Sequence, residues 1–174
     1  MRVRGITLAA MFAAIISIIA PFALPIGMVP LSMQTLIVPL VASITTPRIA
    51  VLSVLGYFAV GLVGLPVFAG FHSGLSSFVA PNGGYLLGML IFPLVNSPML
   101  KRWPGWLSLV LSNLLAAILQ LGFGSLWLGI AAHLSPQAAL STGFVGFLVP
   151  LVIKVVLVVL IVLIMKRSMR LPIA

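Results

Sequence analysis

Apolar residues fill this chain in six long blocks, near 5–24, 31–46, 48–65, 83–100, 105–131 and 138–165, broken by short runs of Pro, Gly and charge. Lipid offers no water to backbone N–H and C=O groups, so blocks of this kind persist there as helices, which pair those groups internally. Roughly 20 apolar residues cross a bilayer. A chain of 174 residues, 63% hydrophobic and 5% charged, with a mean hydropathy of +1.38, therefore holds about six crossings and no soluble domain. The expected fold class is an all-α integral membrane protein, with residues 1–174 forming one transmembrane domain. The block at 31–46 is short and contains Pro39, which predicts a kink, little tilt or a start below the surface.

The basic residues set the orientation, because cytoplasmic helix ends collect Lys and Arg and translocated loops do not. Arg2 and Arg4 precede the first block and Arg48 separates the second from the third. Lys101 and Arg102 separate the fourth from the fifth, and Lys166, Arg167 and Arg170 follow the sixth. The connections 25–30, 66–82 and 132–137 carry none. Six crossings with both termini in the cytoplasm satisfy this pattern; five or seven break it. The net charge of +9 is then explained by the membrane surface and not by nucleic acid. Arg2 and Arg4 before an apolar run also fit a secretory signal, but Pro21 and Pro25 without a small-residue cleavage site favour a retained first helix.

Composition excludes much chemistry. The chain has no Asp or Glu, which removes carboxylate acid/base pairs, carboxylate metal sites and carboxylate proton relays. With no Cys there is no thiolate nucleophile or thiolate zinc site. His72 and His133 are too distant in sequence and too few for a metal site, and no cofactor is implied. No ring of repeated polar residues suggests a channel. The expectation is a membrane protein that is not an enzyme.

Lys154 stands apart as a cation within an apolar run. Burying it costs several kcal/mol unless it is hydrated, deprotonated or paired, and no acid in the chain can pair it. An anionic ligand, a water-filled cavity or backbone carbonyls remain, of which a carboxylate substrate fits best. Gln34, Tyr85, His72 and Asn82 all fall near outer helix ends and can join Lys154 around one outward-facing pocket. The connection 66–82, rich in Gly, Ser and aromatics, predicts a lid or re-entrant segment over the helix ends. Gln120 and Asn113, seven residues apart in one block, read as interhelical hydrogen-bond pairs. Ala9 and Ala13, and Ala10 and Ala14, are spaced by four and permit close approach of another helix, in this chain or in a partner.

The run VPLSMQTLIVPL…YFAVGLVGLPVFAG…APNGGYLLG, from Val29 to Gly88, closely resembles the BioY family, the biotin-binding membrane subunits of energy-coupling factor (ECF) transporters. The resemblance extends more loosely over the whole chain. It implies an S component in the cell (plasma) membrane that captures biotin, or a similar small carboxylate vitamin, at the outer face. It further implies docking through Ala9, Ala10, Ala13 and Ala14 on a transmembrane coupling subunit driven by two cytoplasmic ATPases. The chain has no G-x-x-x-x-G-K phosphate loop, so ATP chemistry belongs to other subunits. Family ligand positions fall at His72, Leu151 and Lys154. Here Leu151 stands where the family has Asp, and Phe71 and Ser73 stand where it has Gly. Val67, Phe68 and Leu75 are the expected apolar lining. Two alternatives stay open: a carrier of another small vitamin, and an interaction subunit with a decayed pocket.

Overall fold

The computed structural model describes residues 3–24 and 31–168. Arg2, Arg170, the connection 25–30 and the Val29–Pro30 start of the family-like motif lie outside the described residues. Helix α1 (Val3–Ile19) leads into a two-residue strand β1 (Ala23–Leu24), which pairs antiparallel with β2 (Leu31–Ser32) in the register Ala23↔Ser32. Then come α2 (Gln34–Ile44), α3 (Pro47–Leu62) and a single turn, α4 (Ser76–Val79). One helical run follows from α5 (Gly83–Leu87) through a 3₁₀ turn at Gly88–Leu90 to α6 (Ile91–Arg102). Helix α7 (Trp106–Ala131) is unbroken, and α8 (Pro136–Gly143) continues through a 3₁₀ turn into α9 (Leu148–Ser168). The six apolar blocks thus become six helical runs, with α4 as an addition inside the 66–82 connection.

Three runs, Gly83–Arg102, Trp106–Ala131 and Pro136–Arg167, are long and apolar enough to cross a membrane. The shorter α1 and α3 have 17 and 16 residues. Helix α2, with 11 residues, rises only about 16 Å, too little to cross the hydrocarbon core of a bilayer by itself. Its sequence explains this: β2 occupies the residues before Gln34, and Pro39 inside the helix lacks the N–H that would bond the Thr35 carbonyl.

The core forms around α7, whose buried positions Leu109, Asn113, Ala116, Gln120, Gly124 and Leu128 recur every three or four residues. Its other face, with Leu111, Leu115, Ile118, Leu126 and Ile130, is exposed, as are Val149, Val152, Ile153, Val156 and Leu160 of α9. Apolar surface this extensive is of the kind that faces a membrane or another protein. Asn113 does link helices: its Nδ2 donates to Ser43 Oγ on α2 at 3.0 Å, and its Oδ1 accepts from Asn96 Nδ2 on α6 at 2.8 Å. The small-residue motif of α1 divides. Ala9 and Ala13 are buried, with Gly56 of α3 so close that a Cβ there would lie 3.0 Å from the Ala13 methyl, whereas Ala10 and Ala14 face outward. Ala9 and Ala13 thus meet the chain's own α3, and Ala10 and Ala14, one position on and turned by 100°, stay exposed.

Candidate ligand-binding site

Lys154 lies in the second turn of α9 and finds its acceptors on the α2 side of the bundle. Its Nζ donates to the Ser32 carbonyl at 2.5 Å and to Thr35 Oγ1 at 2.5 Å. The paired strands β1 and β2 hold Ser32 in place, and Thr35 Oγ1 itself donates to the Ser32 carbonyl at 3.3 Å. An ammonium carries three protons, so one remains beyond these two bonds. Backbone carbonyl and cavity, two of the three environments expected for this cation, are both present.

The cavity beside Lys154 has a volume of about 290 Å³, near the lower end of the range for small-molecule sites. Gln34, His72, Asn82, Tyr85 and Lys154 all line it, so the residues singled out by sequence do come together. Their states differ. Gln34 is 5% exposed and its amide is engaged within the protein, accepting from Ser32 Oγ at 3.1 Å and donating to the Tyr57 hydroxyl at 2.5 Å; Tyr57 in turn donates to the Val67 carbonyl at 3.2 Å. Gln34 therefore ties α2 and α3 to the start of the 66–82 segment. The Tyr85 hydroxyl donates to the Gly143 carbonyl at 2.8 Å and meets Ser125 Oγ at 3.3 Å, which locks α5 to α7 and α8 and leaves the ring as cavity wall. Asn82 is half-buried and its side chain caps no helix; His72 is exposed at the rim.

Leu151 lines a second cavity of about 50 Å³. The two cavities share Leu31, Thr35, Gln120, Leu121, Phe147 and Lys154 as walls. Sequence reasoning assigned no binding role to Thr35, Gln120, Ser76, Ser77 or Phe147. Gln120 bonds the Tyr85 carbonyl, as an interhelical pair should, and lines the cavity as well. Among the expected apolar residues only Phe68 lines the cavity. Val67 is buried away from it, and Leu75 is 68% exposed, because the chain reverses between them.

That reversal is the lid. The Gly70 N–H donates to the Pro21 carbonyl at 2.9 Å and the Gly74 N–H to the Gly61 carbonyl at 2.8 Å, fastening the segment to the ends of α1 and α3. Edge contacts of Phe68 with Tyr57 and Phe78, at 5.4 and 5.3 Å between ring centroids, pack it from below. Phe71 has φ +62°, in the left-handed region that costs a non-glycine residue about 1–2 kcal/mol. Its ring meets Phe22 edge-on at 5.7 Å, a contact glycine would not make.

The BioY family model matches residues 1–171. The biotin transporter BioY2 of Lactococcus lactis subsp. cremoris is 36% identical over 84% of this chain and 81% of its own. The probable biotin transporter BioY of Pyrococcus horikoshii is 31% identical over 86% and 88%. The crystal structure of the S-component for biotin from an ECF-type ABC transporter superposes with a TM-score of 0.84 at 27% identity, covering 95% of this chain and 92% of that one. The chain therefore belongs to the BioY family, a family of transporter components and not of enzymes, and is a multi-pass α-helical protein of the plasma membrane.

Proposed function

We propose that this protein captures biotin at the outer face of the membrane as the substrate-binding S component of an ECF-type transporter, and delivers it through a transmembrane coupling subunit driven by two cytoplasmic ATPases. The observation that carries this reading is the cavity under the 66–82 lid, where Lys154 stands beside amide and hydroxyl groups with no acid to neutralise it. Such a cavity suits a small acid with an amide-like ring. Lys154 is the charge partner, Asn82 and His72 are polar contacts at the lid, Tyr85 and Leu151 are walls, and Gln34 holds the lid's base. The exposed cations Arg4, Arg48, Lys101, Arg102, Lys166 and Arg167 sit at or near helix ends, which supports cytoplasmic termini. Leu151, apolar where the family has an acid, favours a second reading, a carrier of a different small carboxylate vitamin. Titration of the purified, detergent-solubilised protein with biotin and with other carboxylate vitamins separates the two: saturable, stoichiometric heat is expected for biotin alone, and saturation by another vitamin without biotin would select the second.

The division of the α1 alanines gives docking a specific form. Ala14→Trp, on the outward face, is expected to abolish co-purification with the coupling subunit and leave biotin affinity within about twofold of the parent, since Ala14 is exposed and lines neither cavity. Loss of biotin binding in this variant would remove the docking role from that face.

A further inference from the structure

We infer that Gln120 is a ligand-reading residue, its side-chain carbonyl accepting a hydrogen bond from an N–H of the bound molecule at the wall shared by the two cavities. This rests on the biotin reading above and names the group that takes up the role left open by Leu151.

The orientation of the amide follows from chemistry. Gln120 donates Nε2 to the Tyr85 backbone carbonyl at 3.0 Å, and a carbonyl can only accept, so the nitrogen must occupy that position and Oε1 the other. The side chain cannot swing away. It is 1% exposed and packs on Gly88, where an added Cβ would stand 3.0 Å from its Cγ. Tyr85 is itself held through its hydroxyl to Gly143. Oε1 receives no hydrogen bond among the described residues, yet it is not one of their sealed, unpartnered side-chain atoms, which are Asn96 Oδ1 and Ser108 Oγ. The space it borders is cavity.

Of the polar side chains shared by both cavities, Thr35 already accepts from Lys154 and donates to Ser32. Lys154 keeps one donor and Gln120 one acceptor. A donor and an acceptor at one wall complement the edge of an amide or urea, which presents C=O and N–H side by side. A neutral acceptor there binds the N–H without forming an ion pair with Lys154.

The test is a cycle on the full-length protein in detergent, titrating the parent and Gln120→Met with biotin and with biotin methylated on its ring nitrogens. The parent is expected to bind biotin at least tenfold more tightly than the methylated form, the scale of one lost hydrogen bond in a desolvated site. Gln120→Met is expected to bind biotin about tenfold more weakly than the parent and to lose the discrimination. A purely structural role would weaken both ligands equally and keep the discrimination, which overturns the assignment. So does biotin binding unchanged by the substitution. A parent that binds no biotin at all overturns the biotin reading and this assignment together, an outcome distinct from the other two.

Discussion

Replacing Lys154 by methionine is expected to weaken biotin binding by about 30- to 1,000-fold, the equivalent of about 2–4 kcal/mol for removing one member of a buried, charge-assisted contact. The lysine donates to Ser32 and Thr35 across the bundle, while the Thr35 bond to the Ser32 carbonyl and the pairing of β1 with β2 hold the start of α2 without it. Methionine keeps the length and volume of the stem and removes the charge. Because a cation at this depth is itself unfavourable, thermal stability in detergent is expected to hold or rise while affinity collapses. That opposition distinguishes a functional lysine from a structural one. Calorimetric titration alongside a thermal melt measures both; an affinity within threefold of the parent would take Lys154 out of the site.

Gly83→Ala carries the second large effect. A Cβ at Gly83 would collide with the backbone carbonyl of Phe78, and Phe78 cannot retreat, since its ring packs edge-on against Phe58 and Phe68 at 5.4 and 5.3 Å. The cost expected for such overpacking is about 1–3 kcal/mol, read as a lower melting temperature. The strain falls between Ala80 and Tyr85, both cavity residues, so biotin affinity should fall with it. Gly122→Ala on α7 is the control: a Cβ there meets nothing within 4 Å, and the gain in helix propensity, about 1 kcal/mol, predicts unchanged or slightly higher stability. Equal melting temperatures for the two variants would refute the packing account.

Hydropathy and charge made the six helical runs legible, since both are local properties summed along the chain. They also marked Lys154, because an unpaired cation in an apolar run needs no neighbour to look anomalous. The lid was legible as a segment too apolar to be a free loop, although its reversal was not, and Val67 and Leu75 read like Phe68 as lining yet do not join it. The role of Gln34 illustrates the limit. A polar residue near a helix start reads the same whether its amide faces a ligand or, as here, ties Ser32 to Tyr57. Gln120 is the reverse case, a residue with every mark of an interhelical bond that also borders the cavity.

By itself the sequence determined the solvent, the helices and the placement of cationic ends, because each follows from transfer free energies of neighbouring residues. Only the tertiary structure decided which polar groups are satisfied within the protein and which stay open to a ligand. Ser32 and Lys154 are 122 positions apart, and Gln120 lies 35 from Tyr85. Pairings over such distances are set by how helix faces pack, and side-chain hydrogen-bond capacity is divided only once that packing is in place.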